Sequence, residues 1–141
     1  MIHYLDTSAL VKRYVSEAGS ASVRPLFRTK DVATSRIAYA EIAATMARLA
    51  RERALTEPAR DAILARLDAD FVAITIVEIR AALVHRVPSL VSRRPLRGYD
   101  AVHLACALAL RERVVAVTFW AADAGLVEAA RAEGLRTMLL P

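Results

Sequence analysis

Residues 99–110, YDAVHLACALAL, are apolar almost all the way round at helical spacing. A helix formed there has to be packed on several sides and lie near the centre of whatever this chain folds into. Asp100 stands in its first turn, where a carboxylate left without a partner is costly to bury. The fold must therefore surround this helix and also bring something to Asp100.

Short apolar runs alternate with helical patterns along the rest of the chain. Residues 2–5 read as a strand that stops at Asp6, and Thr7 or Ser8 is expected to cap a first helix through Tyr14. A second helix follows Gly19 to about Arg28, then a strand over residues 32–34. Ser35 is expected to begin a helix ending near Arg53, with Ala38, Ile42, Met46 and Leu49 on one stripe and Arg48 and Arg51 turned away. Residues 57–68 give another amphipathic helix, with Pro58 in the first turn, where a missing N–H costs nothing. Residues 71–76 are read as a third strand. Residues 77–91 return to helix, broken or joined at Pro88, and SRRPLRG over residues 92–98 is a basic connector. Beyond the central helix, residues 114–118 are read as a fourth strand, 125–133 as a helix stopped by Gly134, and 136–140 as a short fifth strand.

Strands alternating with helices predict an α/β fold, a central parallel sheet of four or five short strands flanked by helices on both faces. No linker, repeat or low-complexity stretch interrupts the 141 residues, so one domain over residues 1–141 is expected. A core of that size needs neither metal nor disulfide to hold it. Cys106 is the only cysteine, which excludes an intrachain disulfide and a thiolate metal cluster, and it is read as a packed core residue. No stretch of 18 residues is free of charge, and MIHYLDTSALVKRY lacks the order of a signal peptide, so no membrane association and a cytoplasmic location are expected.

Acids placed just after strands matter most in a parallel sheet, because ligands bind beyond the strands' carboxyl ends where the strand order reverses. Asp6 follows the first strand and Asp123 lies in the loop leaving the fourth; Glu41 borders the apolar stripe of its helix. Singly, each has a plain explanation. Asp6 and Asp123 fit helix caps, Glu41 a solvated residue bonded to Thr45, and Asp100 an acid bonded to its own helix N-terminus or to His103. Together they would repel one another unless a hard divalent cation were present. Mg²⁺, or Mn²⁺ in its place, would then activate water for in-line attack on a phosphodiester.

Four blocks in this order resemble a known family, the PIN domain, and within it the VapC-type toxins of toxin–antitoxin pairs: YLDTSALVKRY, TSRIAYAEIAATMARL, LRGYDAVHLACALAL and DAGLVEAARAEGL. The resemblance spans nearly the full chain. It implies a three-layer PIN-like fold, with Asp6, Glu41, Asp100 and Asp123 as the metal-holding, catalytic acids. It also implies ribonuclease activity, a homodimer, and inhibition by a VapB-type antitoxin in a heterotetramer or larger assembly. Thr7 or Ser8 matches the hydroxyl that follows the family's first acid and would hold a metal-bound water; Ser35 matches a hydroxyl before the second block and equally suits a helix cap. The last block departs from the pattern: a Thr or Ser usually stands two residues before its acid, whereas VTFWAAD has Ala121 there and Thr118 five residues before Asp123.

The remaining features are weighed against that resemblance. The 56% of apolar residues agrees with a partner face as well as with buried helices. Of twenty basic residues all but Lys12 and Lys30 are arginine, and the net charge is +5. Arginine's planar fork suits phosphate, although charge alone leans only modestly towards nucleic acid. Arg93, Arg94 and Arg97, just before Asp100, are candidate RNA contacts, as are Lys12 and Arg13. Trp120 suits base stacking or a core or dimer contact. His103 is read as a hydrogen-bonded structural residue, and His3 and His85 carry no motif. A receiver-like domain needs a lysine after a late strand, which neither Lys12 nor Lys30 supplies, and no GxGxxG or GxxxxGK[ST] loop is present. A PIN-like RNA- or protein-binding module without catalysis, and a housekeeping RNA-processing nuclease, are the other readings.

Overall fold

Five short strands, β1 (Ile2–Leu5), β2 (Val32–Ser35), β3 (Thr75–Val77), β4 (Val117–Ala121) and β5 (Arg136–Leu139), form one sheet in the order β3-β2-β1-β4-β5. Every pairing is parallel. The computed structural model describes residues 1–114 and 116–141. The chain builds outward from β1 to β3 on one side, then returns to lay β4 and β5 on the other. The order therefore reverses beside β1, and the crevice at the carboxyl ends of β1 and β4 is the place where such a sheet binds ligands.

The period-two alternation of strand side chains divides the core between the two faces. Tyr4, Phe119 and Ala121 point to one face, where they meet Leu104 of α7 (Gly98–Arg111) and Leu126 of α8 (Ala124–Ala132). Leu83 of α5 (Ala81–Val84) and Leu90 of α6 (Val87–Arg93) complete that cluster. Leu5, Val32 and Trp120 point to the other face. There they pack on Leu10 of α1 (Thr7–Tyr14), Val23 of α2 (Ser20–Val23), Ile42 and Met46 of α3 (Ile37–Arg51), and Leu67 of α4 (Glu57–Ala73). The expected three-layer parallel α/β arrangement is thus what the chain forms. As its composition required, α7 is the most enclosed helix, burying Leu104, Ala105, Cys106 and Ala107 completely. Pro88 sits in the first turn of α6, so the predicted break at this proline is a join between α5 and α6. Gly134 ends α8 with φ +85°, a conformation that a side chain would strain.

Several boundaries differ from expectation. Residues 71–74 do not begin a strand. Phe71 lies one turn after Leu67 on the same buried stripe, and Asp70 accepts hydrogen bonds from Arg13 Nε (3.1 Å) and the Tyr14 hydroxyl (2.9 Å), which anchors the last turn of α4 to α1. Only Thr75–Val77 is left to pair with β2. The fourth strand lies three residues later than read, because pairing along the whole of β1 sets Val117 opposite Ile2 and Trp120 opposite Leu5. Val114 stays near the end of α7, its N–H reaching the Leu110 carbonyl; Val115, part of the expected strand, lies outside the described residues. Ser35 closes β2 instead of starting α3, although its hydroxyl accepts from the Ile37 N–H at 3.3 Å.

Phe71 is 8% exposed and meets Tyr39 edge-on, whereas its neighbour Val72 is 89% exposed. Urea unfolding of Phe71→Ala should show a loss of about 3 kcal/mol, while Val72→Ala should stay within about 0.5 kcal/mol of the unaltered protein. Equal effects would return residues 71–74 to an extended assignment.

Candidate active site

Asp6 leaves β1 with its backbone N–H still bonded to the Trp120 carbonyl at 3.1 Å, so the β1–β4 ladder runs on into the crevice. Its Oδ1 accepts from the Ala9 N–H (2.9 Å) and the Ser8 hydroxyl (2.7 Å), making Asp6 itself the cap of α1 in place of Thr7 or Ser8. Asp123 does the same for α8, accepting from the Leu126 N–H at 2.9 Å. Both acids therefore sit at the positive ends of helices, and capping does not compete with lining the crevice. Ser8 Oγ also accepts from the Ala122 N–H at 2.9 Å, which ties the two loops together. Glu41 reaches in from α3 with Oε1 held by the Thr7 hydroxyl at 2.7 Å and His103 Nε2 at 2.9 Å. The Thr45 hydroxyl bonds the Glu41 backbone carbonyl, not the carboxylate. Asp100, in the first turn of α7, accepts from Arg97 Nε at 3.3 Å.

All four carboxylates, with Thr7, Ser8, Arg97 and His103, line a cavity of about 280 Å³. Burial pushes the Asp6 carboxyl above its usual range, and Asp100 adds to this, against the opposing pull of His103, Ser8 and Ala9. At Glu41 burial also acts upward, but the hydrogen bonds from His103 and Thr7 outweigh it and hold the carboxyl below its usual value. Among the described residues Arg97 is the one arginine or lysine lining the cavity. The donor set is oxygen throughout, which suits a hard divalent cation. Among the described residues no three acids or histidines stand close enough to grip one ion directly. Each carboxylate spends one oxygen on the protein and leaves the other without a side-chain partner among those residues. Such an arrangement fits Mg²⁺, which retains several waters and takes few direct protein ligands.

Residues 3–131 match the PIN domain family. The chain belongs to it. Over 135 residues the chain is 40% identical to the ribonucleases VapC45 and VapC49 of Mycobacterium tuberculosis, an overlap of 94% of this chain and 92% of each relative. Its fold resembles VapBC2 from Rickettsia felis, crystallised with a DNA fragment from their promoter, with a TM-score of 0.66 and 15% identity over 100% of both chains. It also resembles Mycobacterium tuberculosis VapC20, a sarcin–ricin loop cleaving toxin, with a TM-score of 0.62 and 21% identity over 94% of this chain and 95% of that one. PIN-domain ribonucleases in general depend on a divalent metal.

The other residues singled out in the sequence of this PIN domain lie elsewhere. Arg93 and Arg94 pair with Glu133 and do not line the cavity. Lys12 is buried, its ammonium bonded to the Ala18 carbonyl and Glu17. Arg13 is spent on Asp70 and on the face of Phe27. Trp120 belongs to β4 and the core, donating to His3 Nδ1 at 3.1 Å. Thr118 turns away to Met1. A larger cavity of about 400 Å³ beside β3 holds Glu78 as its one acid, and Arg36 takes that carboxylate. His103, read as a hydrogen-bonded structural residue, is hydrogen-bonded, but to Tyr4 and to Glu41 on another helix, contacts that its place in the sequence does not reveal.

Asp6→Asn keeps an oxygen for Ser8 and Ala9 while removing one of the clustered charges. In EDTA this variant should melt a few degrees above the unaltered protein. A melting temperature equal to or below that of the unaltered protein would mean that the acids do not strain one another.

Proposed function

We propose that this PIN domain, taken as one catalytic unit over residues 1–141, is a Mg²⁺-dependent endoribonuclease, with Mn²⁺ able to replace Mg²⁺, and the toxin of a toxin–antitoxin pair. The observation that carries this reading is the convergence of Asp6, Glu41, Asp100 and Asp123, from four separate elements, on one cavity at the switch point of the sheet. The 40% identity to two named ribonucleases over nearly the full chain supports RNA as substrate.

In this reading the four carboxylates would hold the metal together with its waters, and Asp6 and Asp123 are fixed by their capping bonds. When bound, the metal supplies Lewis-acid activation of water and of the phosphoryl oxygen. Glu41, its carboxyl held below the usual value by its two donors, accepts hydrogen bonds at its outward oxygen. Ser8 holds Asp6, Thr7 holds Glu41, and both hydroxyls fix the site's edge. Arg97, 84% exposed and paired with Asp100, is free to swing onto a backbone phosphate of RNA.

The VapBC complexes among the similar folds support a VapB-type antitoxin partner, with a homodimer assembling into a heterotetramer or larger. Among the described residues no helix is long and apolar enough to cross a membrane, and a cytoplasmic site of action belongs to this reading.

Incubation with single-stranded and structured RNA tests it. Cleavage should require Mg²⁺ or Mn²⁺ and fall by orders of magnitude in Asp6→Asn, Glu41→Gln and Asp100→Asn; undiminished cleavage in EDTA would overturn the metal. Arg97→Ala should weaken RNA binding across sequences and reduce the salt slope of affinity by about one.

A further inference from the structure

We propose that His103 is a positioning residue for Glu41: its Nε2–H, fixed by the Tyr4 hydroxyl on Nδ1, holds Oε1 of that carboxylate so that Oε2 is presented to the cavity. The inference rests on the metal-dependent reading above and assigns a new part to a side chain that belongs to none of the four acids.

His103 is 1% exposed and is the one strongly polar side chain buried within α7. An imidazole in such a place must have both nitrogens satisfied. Tyr4, completely buried on β1, lies 2.9 Å from Nδ1; a phenol donates or accepts, so this contact alone does not set the direction. The opposite nitrogen decides: Nε2 points 2.9 Å to Glu41 Oε1, a carboxylate oxygen that only accepts, and 3.0 Å to Thr7 Oγ1, so the ring's proton stands on Nε2 and the neutral ring accepts from Tyr4 at Nδ1. Thr7 in turn donates to the same Oε1 at 2.7 Å. A ring turned over would set carbon atoms against both Tyr4 and Glu41, so the orientation is specified from two sides.

A histidine needed only to fill the core could be satisfied by Tyr4 and water. This one spans three elements: β1, which ends just before Asp6; α3, which carries Glu41; and α7, which carries Asp100. It therefore transmits the packing of the central helix to the placement of a carboxylate 62 residues away. Outer partners of this kind fix the orientation of a metal-holding group, and their loss typically costs 10–100-fold in metal affinity or activity.

Two substitutions separate the nitrogens. The amide of His103→Gln reaches the place of Nε2 and keeps the bond to Glu41; that of His103→Asn reaches the place of Nδ1 and keeps only Tyr4. Calorimetry with Mg²⁺ alone, together with kcat and KM on a cleavable RNA, should place the Gln variant near the unaltered protein. The Asn variant should lose roughly tenfold or more in Mg²⁺ affinity and in kcat, with KM for RNA little changed. An Asn variant that matches the unaltered protein, or Gln and Asn variants that fall together, would overturn the inference while leaving the metal site standing. Absence of Mg²⁺ uptake by the unaltered protein would instead overturn the underlying reading and this inference with it. Should the Asn variant not fold, imidazole ¹⁵N shifts of the unaltered protein decide: a protonated Nε2 that responds to Glu41→Gln is expected, and a bare Nε2 overturns the proposal.

Discussion

The parallel pairing of β1 with β4 is the interaction on which the site depends. Neither strand is neighbour to the other in sequence, yet four successive pairs from Ile2–Val117 to Leu5–Trp120 hold them in register, and the Asp6 N–H extends the ladder by one more bond. Because the strands are parallel, both leave the sheet at the same edge, and the residues that follow them start helices there, one on each face of the sheet. A helix that starts there needs a cap, and an aspartate is among the best choices. Two aspartates are thus brought to one crevice by requirements that concern only the backbone. A slip of one residue would turn Phe119 and Trp120 to the wrong faces of the sheet, so the core enforces the register that the site uses.

That arrangement reconciles two demands that otherwise conflict. Clustering acids in a cavity where Asp6 is 4% exposed works against folding. Each acid offsets part of the cost locally: Asp6 and Asp123 through helix N-termini, Glu41 through two donors, Asp100 through Arg97. None of these partners uses both oxygens of its carboxylate. What is left over is outward-facing negative charge on a rigid frame, which in the proposed reading a divalent cation would neutralise.

How much of this could be read from residues alone depended on the range of the interaction involved. Asp6 and Asp123 were marked by their places after strands, and Asp100 by the apolar helix around it, because those signals are local. Glu41 on its own looks like an ordinary helix residue; the family resemblance, not its surroundings in the sequence, singled it out. The β3 boundary was misplaced because FVAITI suits a strand or a buried helix end equally, and only the contacts of Asp70 with Arg13 and Tyr14 decide for helix. Arg93, Arg94, Lys12 and Arg13 were plausible phosphate contacts by proximity in sequence, but each finds a partner elsewhere, which no local pattern reveals. The His103 bonds cross 62 and 99 residues and were illegible for the same reason.

The adjacent hydroxyls of Thr7 and Ser8 show how the structure removes an ambiguity that the sequence leaves open. Consecutive residues at a helix start point about 100° apart, so the two cannot serve the same group. Thr7 turns to Glu41 and His103, and Ser8 to Asp6 and the Ala122 N–H. Ala121 stands at a position where the resemblance leads one to expect Thr or Ser. Ala121 is wholly buried on the same sheet face as Phe119, where a hydroxyl would need a partner inside an apolar cluster. Ser8 instead supplies a hydroxyl to the loop before Asp123 from across the crevice. The Ser8–Ala122 bond joins the two halves of the site.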